Sequence, residues 1–153
     1  TLLERTLTIW IDPLRTMRAG GEPVEEICDY VRRKLVISET YPRESRLFAN
    51  EILMGIPRAD EALFNPLRGV VAAKMALIED WIADGRLAPV DPHHLLYSIW
   101  ATTQHYADFE SQIAELSPQK MPTLFADAET FLVGMYRNML RPKGQVSEFS
   151  ARN

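Results

Sequence analysis

The chain has 153 residues, of which 46% are hydrophobic and 25% are charged, and its formal net charge at pH 7 is −4. This length can bury the core of one domain, and the composition is typical of a soluble globular protein. The acidic balance offers no basic surface for nucleic acid, and no apolar run is long enough to span a bilayer. The single cysteine, Cys28, excludes an intrachain disulfide and favours a reducing, cytoplasmic setting.

Hydrophobic periodicity predicts an all-α fold of about six helices and no strand. The predicted helices cover residues 2–18, 23–41, 43–54, 61–84, 92–111 and 123–140. Pro13 should bend the first helix, because proline removes one backbone donor from the helix interior. Asn65 and Asp91 are predicted N-caps, since each stands directly before a proline that suits the first helical position.

The start of the chain predicts that another segment precedes it. A helical stripe begins at Leu3, almost at the first residue, and no capping residue comes before it. We therefore expect an upstream segment to be missing. We assign residues 1–142 to one domain and residues 143–153 to a flexible tail.

The fifth predicted helix carries polar groups on its inner side. One narrow sector of its helical wheel contains Leu96, Trp100, Thr103, Gln104 and Ala107. A buried amide without a partner costs about 1–3 kcal/mol, so Gln104 needs hydrogen bonds. Two interpretations stay open at this point: Gln104 bonds a neighbouring carbonyl, or it offers a donor and an acceptor to a planar ligand that stacks on Trp100.

The fourth predicted helix has a similar anomaly at Lys74. This lysine lies in the middle of an apolar stripe that also contains Leu67, Val71, Ile78 and Trp81. Its ammonium group can reach water while its stem packs, or it can pair with Glu51 of the third helix. With Trp10 on the first helix, three helices combine polar or tryptophan side chains with apolar stripes, a pattern typical of a small-ligand pocket.

Other polar residues receive structural interpretations. Arg32, Arg33 and Lys34 fall mostly off the stripe of the second helix, so we predict a solvated face there. His105 and Asp108 are three positions apart, a spacing that could bind a metal. Both point away from the Trp100 sector, so we interpret them as a surface pair. Cys28 lies in an apolar stripe and is predicted to be inert core.

Catalytic motifs are missing from the sequence. It contains no GxGxxG, P-loop, HExxH or ExxH pattern, so we predict no enzyme activity, no cofactor and no bound metal. An alternative is a small-molecule enzyme that uses Glu51 and Lys74 as acid–base groups. A further alternative is a dimerisation module that binds no ligand and whose inner polar groups are structural.

Four stretches resemble the C-terminal domains of TetR-family transcriptional regulators, in particular those that control pyrimidine utilisation. They are GRLAPVDPHHLLYSIWATTQHYADF (85–109), IWIDPL (9–14), YPRESRLF (41–48) and KMALIEDW (74–81). The resemblance implies an effector-binding domain that forms a homodimer and follows an N-terminal helix-turn-helix domain absent from this chain. It implies a planar effector such as uracil or thymine, whose binding modulates DNA binding.

The resemblance also assigns residues to the expected pocket. Trp10 and Ile11 match the first-helix wall of the family's pocket, and Trp100 and Gln104 match the fifth-helix wall. We add Lys74 and Thr103 to the effector-binding set from their positions on the helices.

The sequence departs from the family pattern at Ala49 and Asn50. These residues lie in FANEIL (48–53), and the departure leaves the exact effector open.

The last two helices of each protomer are expected to form a four-helix bundle with their mates. The candidate contact residues for that bundle are Leu95, Ile99, Leu124, Phe131 and Met135.

Overall fold

The computed structural model describes residues 2–55 and 61–144, and the regular secondary structure of this part of the chain is entirely helical, with no strand. Seven α-helices are found in it: α1 (Leu2–Arg15), α2 (Pro23–Thr40), α3 (Pro42–Leu53), α4 (Glu61–Ala83), α5 (Pro92–Asp108), α6 (Glu110–Leu116) and α7 (Leu124–Leu140). A 3₁₀ helix (Pro118–Thr123) leads into α7. The all-α prediction is confirmed. Residues 56–60 of the predicted GIPRAD loop and 145–153 of the predicted tail lie outside the described residues.

Two helices begin at side-chain caps. The Glu22 carboxylate accepts hydrogen bonds from the backbone N–H groups of Val24 and Glu25, and Pro23 occupies the first position of α2. Asp91 caps α5 as predicted and accepts from the N–H groups of His93 and His94. The hydrogen bond from the His94 N–H is the main reason that the pKa of Asp91 lies below its usual value.

Glu22→Ala is expected to destabilise the chain by about 1 kcal/mol, because two N–H groups of the first turn of α2 lose their acceptor. Urea unfolding followed by circular dichroism measures this difference. Glu39→Ala, an exposed change on the same helix, is the matched control. Equal midpoints for the two variants would contradict a capping role for Glu22.

Three predicted boundaries were wrong, and the first is the end of α1, which lies at Arg15 rather than at residue 18. Asn65 does not cap a helix: α4 begins at Glu61 and continues through Pro66, and the Asn65 side chain accepts from Arg68 Nη1 at 2.7 Å. The fifth helix ends at Asp108, because Phe109 leaves helical geometry with φ −118° and ψ 27°. The residues that follow form the separate short helix α6.

The core is arranged around α2, which packs against α1, α3, α5 and α7. Its buried apolar residues include Val24, Ile27, Cys28, Tyr30, Val31 and Leu35. The contact between α2 and α7 joins two segments that are far apart in the sequence. Arg137 donates two hydrogen bonds to the Glu25 carboxylate, at 2.9 and 3.0 Å. Burial raises the pKa of the Cys28 thiol, which lies against the carbonyl of Val133, and the prediction of a core cysteine is confirmed.

Only some of the residues predicted to contact a second copy are exposed on α5 and α7. Leu95 and Ile99 are buried in the protomer's own core, so they do not face a second copy. Phe131 and Met135, by contrast, are exposed on the outer face of α7. The inner face of α7 is formed by Ala128, Leu132, Val133, Tyr136 and Leu140.

None of the helices in the described ranges is long and apolar enough to cross a membrane.

Candidate functional site

Four helices bring their polar and aromatic side chains together on one side of the core. We define the tryptophan site by the five residues that meet there: Trp10 from α1, Lys34 from α2, Phe48 from α3, and Trp100 and Gln104 from α5. The packing of α3 and α5 against each other and against α2 sets these positions.

Aromatic rings form the walls of the tryptophan site. The Trp10 ring lies 5.1 Å from Phe48 and 5.5 Å from Trp100, measured between ring centroids. Tyr97, one turn before Trp100, lies 5.7 Å from it. These tilted contacts are favourable pair geometries.

Gln104 is half-buried and joins α1 to α5. In the amide orientation that satisfies both neighbours, its oxygen accepts from Trp10 Nε1 at 3.2 Å and its nitrogen donates to the Trp100 carbonyl at 3.2 Å. The sequence analysis left two interpretations of Gln104 open, and this hydrogen bond to the Trp100 carbonyl is the structural one. The second N–H of the amide has no acceptor assigned by this geometry and can serve a ligand.

Trp100 is held in place by α2. Its indole Nε1 donates to the Tyr30 hydroxyl at 2.8 Å, and Tyr30 is buried, which raises the pKa of its phenol. Tyr30, Lys34 and Ser38 follow one another at four-residue spacing, so they share the face of α2 that meets α5. Ser38 completes that face by donating to the Thr103 carbonyl at 2.8 Å.

Lys34 corrects the prediction of a solvated face on α2. The lysine is only 1% exposed, and its Nζ lies 3.6 Å from the Trp10 ring centroid without a hydrogen-bond acceptor among the described residues. Arg33 also has two buried guanidinium nitrogens without acceptors there, whereas Arg32 bridges Asp29 and Glu129 near the surface. The prediction failed because α2 is packed on several sides.

The electrostatic environment of Lys34 disfavours its charge. Burial lowers the pKa of Lys34 to about 7, and the negative charge of Asp108 only partly opposes this shift. One oxygen of Asp108 is already engaged, since it accepts from the Ser45 hydroxyl at 2.7 Å. The cation therefore has an aromatic face and a more distant carboxylate, but no direct anionic contact among the described residues.

The remaining predicted site residues have other environments. Ile11 is buried beside Phe48 in a small apolar cluster of α1 and α3. Thr103 is fully buried, and its hydroxyl donates to the Ile99 carbonyl of its own helix at 2.6 Å. Both residues support the walls of the site rather than presenting polar atoms to its interior.

Lys74 and Glu51 are not brought together. Lys74 Nζ donates to the Met17 carbonyl at 2.6 Å, beyond the C-terminal end of α1, and Glu51 is exposed on α3. The ion pair with Glu51, one of the alternatives that the sequence left open for Lys74, is therefore not formed. We leave Lys74 out of the tryptophan site.

The histidine and carboxylate side chains do not assemble into a metal centre in the described ranges, where no group of three or more potential ligands occurs. His105 is exposed and stacks on Phe109 at 5.0 Å. Asp108 is half-buried and bonded to Ser45, so only the histidine of the predicted surface pair lies at the surface.

The fold and the family comparison agree on the class of protein. Residues 3–143 match the family described as YcdC-like protein, C-terminal region, one of the TetR-type C-terminal families. The match covers most of the chain, and the chain belongs to this family.

The curated relatives are transcriptional regulators. The HTH-type transcriptional regulator RutR of Escherichia coli strain K12 is 45% identical over 112 residues, which make up 73% of this chain and 53% of that protein. RutR of Shigella flexneri matches with the same identity and coverage. The chain spans about half the length of the curated relatives it matches.

Proposed function

We propose that this chain senses a small planar effector at the tryptophan site, and that the effector is a pyrimidine such as uracil or thymine. The observation that carries the proposal is the Lys34 ammonium, buried beside Trp10 without a hydrogen-bond acceptor in the described part of the chain. Such a group is costly in an apolar interior unless something completes its hydrogen bonds. The rings of Trp10 and Trp100 supply apolar faces for a flat molecule, and Gln104 supplies an amide at its edge.

The effector would act on DNA binding through α1. In the proposed regulator, residues 1–142 form the sensing and dimerising domain, and a helix-turn-helix domain joined ahead of α1 binds DNA. The Trp10–Gln104 hydrogen bond connects α1 to α5, and a ligand bonded to Gln104 changes the balance between conformers of α1. The ligand would thereby favour a conformer whose two DNA-binding heads are wrongly spaced. The whole regulator would work in the cytoplasm.

Two DNA-binding heads require two copies of the chain, and these copies would pair through α5 and α7. Phe131, Met135 and Met139 lie four residues apart on the outer face of α7 and are all exposed. A shallow groove of about 330 Å³ runs between the two helices, with Ala101, Thr102, His105, Tyr106, Phe131 and Leu132 along it. An apolar stripe of this kind is suited to a self-complementary, twofold interface. Of the predicted interface residues, Phe131 and Met135 fit this surface.

Thermal unfolding in the presence of uracil, thymine, adenine and guanine tests the proposed sensor function. A pyrimidine at 100 times its dissociation constant should stabilise the chain by about 2.7 kcal/mol. Gln104→Leu should lose most of this response, since it removes the amide that would bond the ring edge. Because Trp10 Nε1 loses its acceptor, the replacement should also lower the stability of the unliganded chain by about 1–3 kcal/mol.

Gln112→Leu is the matched control, because Gln112 is an exposed glutamine of α6. This variant should keep the full response to pyrimidines. Unchanged melting temperatures of the wild-type chain with every pyrimidine would refute the proposed effector class.

A further inference from the structure

A cavity of about 550 Å³ lies at the N-terminal end of α2, a volume within the range of small-molecule sites. Three segments meet around it: the start of α2, the connection between α4 and α5, and the C-terminal end of α7. Val24, which lines it, is about 15 Å along α2 from Lys34, so the cavity is separate from the tryptophan site. We call it the basic cavity and define it by its charged residues, which are Glu22, Glu25, Arg86, Arg137, Arg141 and Lys143.

Hydrogen bonds fix the three segments to one another. The Ala88 N–H donates to the Leu140 carbonyl at 2.9 Å, which joins the α4–α5 connection to the end of α7. Arg86 Nη2 donates to the Gly21 carbonyl at 3.3 Å, which joins the same connection to the segment before α2. Gly85, with φ +71°, makes the turn that leads from α4 into this connection. The fold itself therefore holds the walls of the basic cavity in place.

The two carboxylates of the basic cavity are already engaged. The Glu25 carboxylate accepts two hydrogen bonds from Arg137. The Glu22 carboxylate accepts from the Val24 and Glu25 N–H groups, where the positive end of the α2 dipole stabilises its charge. A ligand of this cavity would therefore be held by the remaining side chains and not by the first turn of α2.

Three cations of the basic cavity keep an uncompensated positive charge. The side chains of Arg141 and Lys143 make no hydrogen bond or ion pair within residues 2–55 and 61–144, and the Arg86 guanidinium bonds only a neutral carbonyl there. This local excess of positive charge occurs in a chain whose formal net charge is −4. Guanidinium groups bind phosphate oxygens through paired hydrogen bonds, and a lysine adds a compact charge. The cavity is thus complementary to a small anion that carries several negative charges.

We propose that the basic cavity binds a small molecule that carries a diphosphate group. The neighbouring oxygens of a diphosphate can contact Arg86, Arg141 and Lys143 together, and the volume of the cavity leaves room for a nucleoside attached to it. A nucleic-acid backbone fits less well, because it needs an extended basic surface and these cations surround a single concavity. The proposal does not depend on the effector proposed for the tryptophan site.

Calorimetric titration of the wild-type chain with pyrophosphate, ADP and UDP at low salt tests the proposal. All three ligands should bind, with dissociation constants that rise as potassium chloride is added. Equal affinities would identify the diphosphate itself as the ligand, and tighter binding of ADP or UDP would identify a nucleotide. A chain that binds none of the three would overturn the proposal.

The double variant Arg141→Gln with Lys143→Gln should weaken pyrophosphate binding by about tenfold, because two of the three uncompensated cations are lost. Arg43→Gln with Lys120→Gln is the matched control, since it removes the same charge at exposed positions outside the basic cavity. This control should bind pyrophosphate like the wild type. Equal losses in the two double variants would overturn the proposal, because the net charge and not the cavity would then set the affinity.

Glu22→Gln should change the affinity in the opposite direction. It removes a negative charge from the basic cavity and keeps an oxygen that can cap α2, so pyrophosphate should bind about threefold more tightly. Glu39→Gln, at an exposed position of the same helix, should leave the affinity unchanged. Weaker binding by Glu22→Gln would contradict the site. A short DNA duplex that displaces pyrophosphate from the wild-type chain would overturn the small-molecule ligand in favour of a nucleic-acid surface.

Discussion

Replacing Lys34 by methionine is expected to stabilise the unliganded chain by about 2–4 kcal/mol at neutral pH. The methionine keeps a long apolar side chain against Trp10 and removes a buried charge that has no contacting anion among the described residues. Since one pKa unit corresponds to about 1.4 kcal/mol, the fall in the lysine pKa from 10.5 to about 7 sets a ceiling of about 5 kcal/mol. Urea unfolding of both proteins measures the difference in the free energy of unfolding.

The stabilisation by Lys34→Met should depend on pH in a defined direction. Below about pH 7 the lysine is charged in the folded and the unfolded chain, so the wild type bears the full cost of burial. Between about pH 7 and 10.5 the unfolded chain keeps the proton while the folded chain loses it, and the wild type gains stability as the pH rises. The advantage of the variant should therefore be largest near pH 6 and nearly vanish above pH 10.

Lys74→Met provides the matched control for this experiment. Lys74 donates to the Met17 carbonyl, so its loss should destabilise the chain by about 1 kcal/mol. A Lys34→Met variant that is also destabilised near pH 6 would show that Lys34 is satisfied in solution, and the argument for a ligand at the tryptophan site would fail with it.

Phe131→Glu is expected to weaken the proposed dimer by at least about a hundredfold. The side chain is 67% exposed in the protomer and is the first residue of the apolar stripe of α7. A twofold interface would contain the new carboxylate twice, and each unpaired buried charge costs several kcal/mol. Sedimentation velocity over a range of concentrations measures the dissociation constant of the dimer.

The fold of the Phe131→Glu protomer should be unaffected, because the phenyl ring contributes little to the core. Val36→Glu is the control, since Val36 is 59% exposed but lies on α2, away from the outer face of α7. This variant should dimerise like the wild type. If Phe131→Glu formed a dimer as tight as that of the wild type, the α5–α7 surface would be excluded as the interface.

The helices were predictable because their boundaries are marked by local chemistry. Pro23 and Pro92 begin α2 and α5 at the expected positions, and Gly85, with φ +71°, follows the end of α4. Asn65 misled the prediction because a proline within α4 is tolerated at the loss of one backbone hydrogen bond. Tertiary packing decides such cases, and periodicity does not report it.

The residues of the tryptophan site could be predicted from the sequence only on helices that bury a single face. Trp100 and Gln104 fall in the narrow wheel sector that meets α1 and α2, so their convergence with Trp10 could be expected. Lys34 was missed because α2 packs against several helices. A lysine outside the main apolar stripe of such a helix can still be buried. Its four-residue spacing from the buried Tyr30 was the available signal. For Lys74, the partner is a backbone carbonyl of the α1–α2 connection, which no side-chain pattern could indicate.

The pairing of Glu25 with Arg137 has a consequence for how the chain reaches its native state. The two residues are 112 positions apart, so α2 cannot complete its packing until α7 has been synthesised. Until then the part of α2 that α7 will cover, which includes Cys28 beside the Val133 carbonyl, remains open to nonspecific association. The domain therefore completes its packing only after α7 has been synthesised, and a chain truncated before Leu124 is expected to aggregate.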